Sequence, residues 1–201
     1  MMSEPKIIAK RDAATGSQVR VKGVNFIMLL EAVVQIYGPE AKQRIEKGAT
    51  DDLGNALRFG AIVASGWYDL SLYRSLWQLV GSQLTLDNSG IRRLTKKATA
   101  LSIGGIYRTL AKITTPAMLI SLGAKVFGNF YENAKFEVKT SRQGYILCEW
   151  YKCDGFDSHI WNHVIGGSVY FLEAAGGKSV ECNVLEGGGI SNRMLAAFTY
   201  T

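Results

Sequence analysis

Histidine, cysteine and proline are all scarce in this 201-residue sequence, at two, three and three residues. The three cysteines, Cys148, Cys153 and Cys182, are an odd number at no framework spacing. A disulfide-stapled secreted scaffold is thereby excluded, and a reduced, cytoplasmic protein is expected. The N-terminus, MMSEPKIIAKRDAATGSQ, has no apolar core, so no secretion signal is expected. No apolar run is long enough to span a membrane. The best stretch, ALSIGGIYRTLAKITTPAMLISLGAKVFGNF, is interrupted by Arg108, Lys112, Lys125 and Pro116 and reads as a pair of buried-face helices. Catalytic signatures are missing too. There is no G-x-S-x-G elbow, and the Gly187–Gly189 run lacks the lysine and the helix that would make it a phosphate loop.

What is present is apolar mass: 47% of the residues are hydrophobic, enough for a substantial core. The net charge of +6 permits acidic partners without demanding them. Residues 1–17 read as a flexible arm and 18–201 as a single domain. QVRVKGVNF begins as a strand. NFIMLLEAVVQIYG, PEAKQRIEKG and DDLGNALRFG follow as helices, the last capped by Asp51 or Asp52. In DLSLYRSLWQLVGSQL, Leu70, Tyr73, Leu76, Trp77 and Val80 recur at helical steps. DNSGIRRLTKKATALSIGGIYRTLAKI continues as a helix bent at Gly104-Gly105, and Thr115 with Pro116 starts another. After Asn133 the pattern changes. KFEVKT and GYILCEWYK form a hairpin, DSHIWNHVIGGSVYFLEA is a helix, and KSVECNVLE and RMLAAFTYT are strands around GGGISN. Segregated helices followed by consecutive strands predict an α+β fold, an N-terminal helical bundle on a C-terminal antiparallel sheet of order strand–strand–helix–strand–strand. Any cavity belongs at the joint between the two.

Both histidines, His159 and His163, sit on the one late helix. At about 100° per residue His163 and Tyr170 lie within roughly 40° of His159, opposite Ile160, Trp161, Val164 and Ile165. That wheel places the histidines towards solvent or a partner subunit, with Gly166 permitting close approach of another backbone. A zinc protease needs a glutamate directly after the first histidine, where Ile160 stands, and a third ligand from elsewhere. No metal site and no cofactor is expected. Buried thiols acting as fillers account for the cysteines. IRRLTKK groups Arg92, Arg93, Lys96 and Lys97 on one helix side, a solvated face in the absence of any recognition motif, so no specific nucleic acid is expected. Trp77, Tyr107, Leu119, Phe127 and Phe130, on the central helices, are the candidate lining of an apolar pocket.

VKGVNFIMLLEAVVQIYG, YDLSLYRSLWQLVG, GIYRTLAKITTPAMLISLGAKVFGNFYE and the strand–strand–helix–strand–strand tail together resemble a family of roughly two-hundred-residue proteins of unknown function, mainly from myxobacteria. That family in turn looks like the group containing 4-vinyl-reductase ligand-binding domains, haem–nitric-oxide/oxygen-binding domains and TRAPP tethering subunits. The resemblance implies an α+β fold with an apolar cavity, frequent dimerisation and, in bacterial members, sensing of small hydrophobic molecules. Departures narrow it. The haem-binding branch has a proximal histidine on a helix before the sheet and a Tyr-x-Ser-x-Arg motif. This chain has no histidine before His159, and KTSRQG supplies Ser141 and Arg142 without that spacing. Of the cysteine-rich motif of the 4-vinyl-reductase branch only Cys182 remains. The expectation is a non-enzymatic, cytoplasmic, dimeric module for a small hydrophobic ligand. The rivals are a protein–protein scaffold with a filled core, a metalloprotein on the histidines and cysteines, and a nucleic-acid binder.

Overall fold

The helices fall where the apolar periodicity puts them. The structure, a computed structural model, describes residues 18–102 and 114–201. The expected arm, the Gly104-Gly105 bend and Tyr107 lie outside those residues. Helix α1 (Gly23–Tyr37) buries Phe26, Leu29, Leu30 and Val33. Helix α2 (Pro39–Gly48) starts on its proline, and α3 (Asp51–Arg58) follows. The cap of α3 is Thr50, not an aspartate; Asp51 and Asp52 occupy the first turn, where negative charge suits the helix dipole. Helix α4 (Leu70–Gln83) buries all five residues of its periodic face, and α5 (Asn88–Ser102) runs beside α1. Helix α6 (Pro116–Val126) opens as expected, the Thr115 side chain accepting from the Met118 N–H at 3.3 Å. It ends sooner than its apolar pattern implies. Phe127–Asn129 tighten into one 3-10 turn, and the chain passes into strand β3 (Tyr131–Glu132).

That short strand belongs to a small sheet with β1 (Arg20–Lys22) and β2 (Trp67–Asp69), in the order β2-β1-β3. Two- and three-residue strands carry no alternation to read, so only β1 is foreseen in the sequence. The second sheet holds β4 (Lys135–Arg142), β5 (Tyr145–Tyr151), β6 (Glu181–Gly187) and β7 (Met194–Thr199), all antiparallel, in the order β4-β5-β7-β6. Helix α7 (Ser158–Ala174) connects β5 to β6. The α+β architecture and its tail order are therefore as predicted. Period-two alternation sends Phe136, Ile146, Cys148, Trp150, Ala196 and Phe198 into the core. Glu137, Lys139 and Glu149 go to the other face, where Lys139 and Arg193 both pair with Glu149. One packed and one ionic face is the normal state of an antiparallel sheet. Gly187, Gly188 and Gly189 all have positive φ and form the β6–β7 turn, the hairpin loop expected of them.

Helix α7 departs from its wheel. Asp157 caps it, accepting from the N–H groups of His159 and Ile160 at 3.1 and 3.0 Å. The same carboxylate receives Arg74 and Gln78 of α4 at 3.3 and 3.4 Å, which ties the two helices at one end. The helix is then buried almost all round. Ile160, Trp161, Val164 and Ile165 enter the core, while Asn162 and Gly166 are buried against α5. Arg92 donates to Asn162 Oδ1 at 2.7 Å, and Asn162 donates to Asn88 Oδ1 at 3.0 Å. A Cβ at Gly166 would lie 2.8 Å from the Arg92 carbonyl oxygen and 2.9 Å from Thr95 Cβ. The close backbone approach foreseen at Gly166 is real, but its partner is α5 of the same chain. The reading of Gly166 and His163 as a surface for another subunit is corrected accordingly.

Gly166→Ala forces that contact apart and should destabilise the fold by about 1–3 kcal/mol in urea unfolding. Gly167→Ala is its control. There the nearest atom, Thr99 Oγ1, is 3.5 Å away, and helix propensity favours alanine by up to about 1 kcal/mol.

Candidate functional site

At the joint of bundle and sheet, residues of α1, α5, α6, α7, β3, β4 and β5 line a partly open cavity of about 100 Å³. Its wall is largely aromatic. Phe136 stacks on Trp150 at 4.5 Å between centroids and 4° between planes, and Phe127 stacks on Tyr131 at 5.1 Å. Phe130 and Phe171 complete that side. Among the described residues the lining carries no lysine, arginine, aspartate or glutamate.

One imidazole lies in this wall. His163 is surrounded by Tyr73, Trp77 and Tyr131, with ring centroids at 5.6, 5.5 and 6.2 Å, and the surface it keeps is shared with the cavity. Its Nδ1 lies 3.2 Å from the buried Thr95 hydroxyl. Desolvation lowers its pKa to about 3, so the imidazole is neutral throughout the physiological range. The wheel sends His163 outward because Asn162, His163 and Gly166 read as polar or small. They form a second buried face, packed on α5. His159 is half-buried, packed over Gly81 of α4, and Tyr170 is half-buried beside Phe171.

Of the pocket residues foreseen in the sequence, Phe127 and Phe130 line the cavity. Trp77 and Leu119 are buried but are not in its wall, and Tyr107 lies outside the described residues. Sequence reasoning missed His163, Phe136 and Trp150 as lining. The last two sit on alternating strand positions that point inward, a signal available in KFEVKT and GYILCEWYK.

Four buried donors in this region have no hydrogen-bond partner among the described residues: the hydroxyls of Tyr73 and Tyr131 and the indole N–H groups of Trp77 and Trp150. The Trp77 N–H lies near the Tyr73 hydroxyl without reaching hydrogen-bond geometry. Burial pushes both tyrosine pKa values well above the usual range. Each orphan costs roughly 1–3 kcal/mol relative to a satisfied group. Elsewhere the candidate chemistry is structural. Burial raises the thiols of Cys153 and Cys182 to about 12 and about 11, and that of Cys148 further, so all three stay protonated. No cluster of three or more metal-ligating side chains occurs among the described residues. In the basic run, Arg92 bonds Asn162, Arg93 bonds Tyr37 and Lys96 pairs with Glu173.

No protein-family model matches the sequence, and no curated protein does. Solved structures match in fold. An Fe(II) unliganded H-NOX protein from K. algicida gives a TM-score of 0.67 at 15% identity, over 90% of this chain and 96% of that one. A triple-alanine mutant of the H-NOX protein from S. oneidensis, in the Fe(II) ligation state, gives 0.65 at 13% over 90% and 96%. An oxygen-binding H-NOX domain related to soluble guanylate cyclases gives 0.64 at 10% over 90% and 95%. At such identities the likeness is one of fold, that of the H-NOX structures. The described residues do not fit haem itself. A cavity of about 150 Å³ holds one benzene, and this one is smaller. Its described wall offers no cation for two propionates, and the only histidine in it has three aromatic rings packed around it.

A neutral buried histidine makes stability pH-dependent. Between its unfolded pKa of 6.5 and its folded value of about 3, the unfolded chain binds a proton that the native protein refuses. Stability therefore falls as pH drops through that window, by up to about 1.4 kcal/mol per unit, and His163→Gln should remove that part of the slope in unfolding measured from pH 7 to pH 4. The orphaned hydroxyls give an opposite test. Tyr73→Phe and Tyr131→Phe should leave stability unchanged or raise it by up to about 1 kcal/mol, since no bond is lost.

Proposed function

We propose that this chain is a non-enzymatic module that binds a small hydrophobic molecule in the cavity between bundle and sheet and reports its presence to a partner. The observation that carries the reading is the cavity itself: apolar, aromatic-walled and, among the described residues, free of ionised groups. Small-molecule sites are built this way, concave and apolar with few polar groups that fix orientation. The fold likeness supports it, since one of the similar structures is described as an oxygen-binding domain. The kinship with the myxobacterial family, 4-vinyl-reductase domains and TRAPP subunits belongs to the same reading. So do a dimeric state and a cytoplasmic location; no helix among the described residues is long and apolar enough to cross a membrane.

The scaffold reading has one observation in its favour. Phe59 and Val63, close together after α3, are 70% and 54% exposed. A filled core is what it requires, and the cavity speaks against that.

Native mass spectrometry of freshly purified full-length protein decides between them. The expected result is a dimer carrying an organic adduct that leaves on denaturation. A bare mass, together with failure of small aromatic molecules to bind, sinks the ligand-binding reading and favours the scaffold.

A further inference from the structure

Thr95 fixes which proton His163 carries. The Thr95 hydroxyl is wholly buried, and its only hydrogen-bond partner among the described residues is His163 Nδ1. If Nδ1 carried the proton, it would donate to the hydroxyl oxygen and the hydroxyl hydrogen would be left without an acceptor. If the hydroxyl donates, Nδ1 accepts, and the one unmatched donor is Nε2–H, which is not among the sealed unpartnered atoms of this region, on a ring that lines the cavity. A donor sealed in packed protein costs more than one left at a cavity wall, so the second arrangement prevails. The neutral ring must then carry its proton on Nε2. Among the described residues nothing accepts from Nε2, and the ring lies in the cavity wall.

We propose that the ligand of this cavity is a single uncharged ring, no larger than benzene, bearing one hydrogen-bond acceptor that takes the His163 Nε2–H. The inference rests on the ligand-binding reading above and adds the chemistry of the ligand. Size follows from the cavity of about 100 Å³, and the ring from the stacked Phe127, Phe136 and Trp150 walls. Absence of charge follows from a described lining with no cation or anion, where an ionised ligand would lose its hydration without compensation. The acceptor follows from the histidine, whose Nε2–H has no acceptor among the described residues.

Pyridine and benzene test it, since they share size and shape and differ by one acceptor nitrogen. Full-length protein labelled with ¹⁵N is titrated with each, and with benzoate, in mildly alkaline buffer where pyridine is neutral. The imidazole nitrogens are followed directly by long-range ¹H–¹⁵N spectra. The free protein should show the proton on Nε2 of His163. Pyridine should shift that resonance downfield and benzene should not. His163→Phe should weaken pyridine about five- to tenfold while leaving benzene within twofold, and benzoate should not bind. Should His163→Phe fail to fold, the wild-type Nε2 resonance still decides. Benzene binding with no effect of pyridine on Nε2, a proton found on Nδ1, or tight benzoate overturns this inference and leaves the cavity as a ligand site. Binding of none of the probes overturns the ligand-binding reading as well.

Discussion

Gly166 brings the backbone of α7 onto the Arg92 carbonyl of α5, and Asn162 and His163 on the same side of α7 find their hydrogen-bond partners on that helix. Close packing of two helices needs a residue without a side chain at the crossing. It also needs every buried polar group on the facing surfaces to be matched. Both conditions are met here, and together they fix the rotation of α7 about its own axis. With Asn162 and Gly166 committed to α5, His163 has one direction left, between Tyr73, Trp77 and Tyr131. The polarity of the cavity is in this sense a by-product of helix packing.

The fold likeness to H-NOX structures and the misfit with haem are compatible once fold and site are kept apart. A bundle resting on an antiparallel sheet leaves space at the joint whatever fills it. What fills it depends on the side chains at a few positions of α1, α5, α6, α7 and the sheet. Here those positions carry phenylalanines, a tryptophan and a neutral imidazole. The result is a smaller chamber than a macrocycle needs, with one neutral imidazole in its wall.

Much of this was legible in the sequence. The tail order, the core face of α4, the Thr115-Pro116 helix start and the glycine hairpin all follow from local periodicity and turn chemistry. The errors have a common cause. A helical wheel reports one apolar stripe and treats the rest as solvent, but α7 is covered on two sides, and its second side is made of asparagine, histidine and glycine. Likewise β2 and β3 are too short for alternation to be visible; they exist because β1 pairs with both. For the cavity, Phe127 and Phe130 were found because they are aromatic near the joint. Trp77, another aromatic, and Leu119, an apolar residue of the same stretch, are expected in the wall too, yet they pack elsewhere in the core. Hydrophobicity tells whether a residue is buried, not whether it borders a void.

The small sheet also dictates the order in which the molecule can be finished. Strand β1 is held between β2 and β3, and the Arg20–Glu132 ion pair closes across 112 residues. Lys22 donates its N–H to the carbonyl of Phe130, one of the cavity residues. A ribosome delivers β1 early and β3 late, with a wait on the order of 10 s between them at ordinary elongation rates. Until then β1 has one open edge and the aromatic wall has no anchor. The nascent bundle therefore spends its first seconds with the future chamber open on one side, and the chamber takes its shape only once β3 has been laid down.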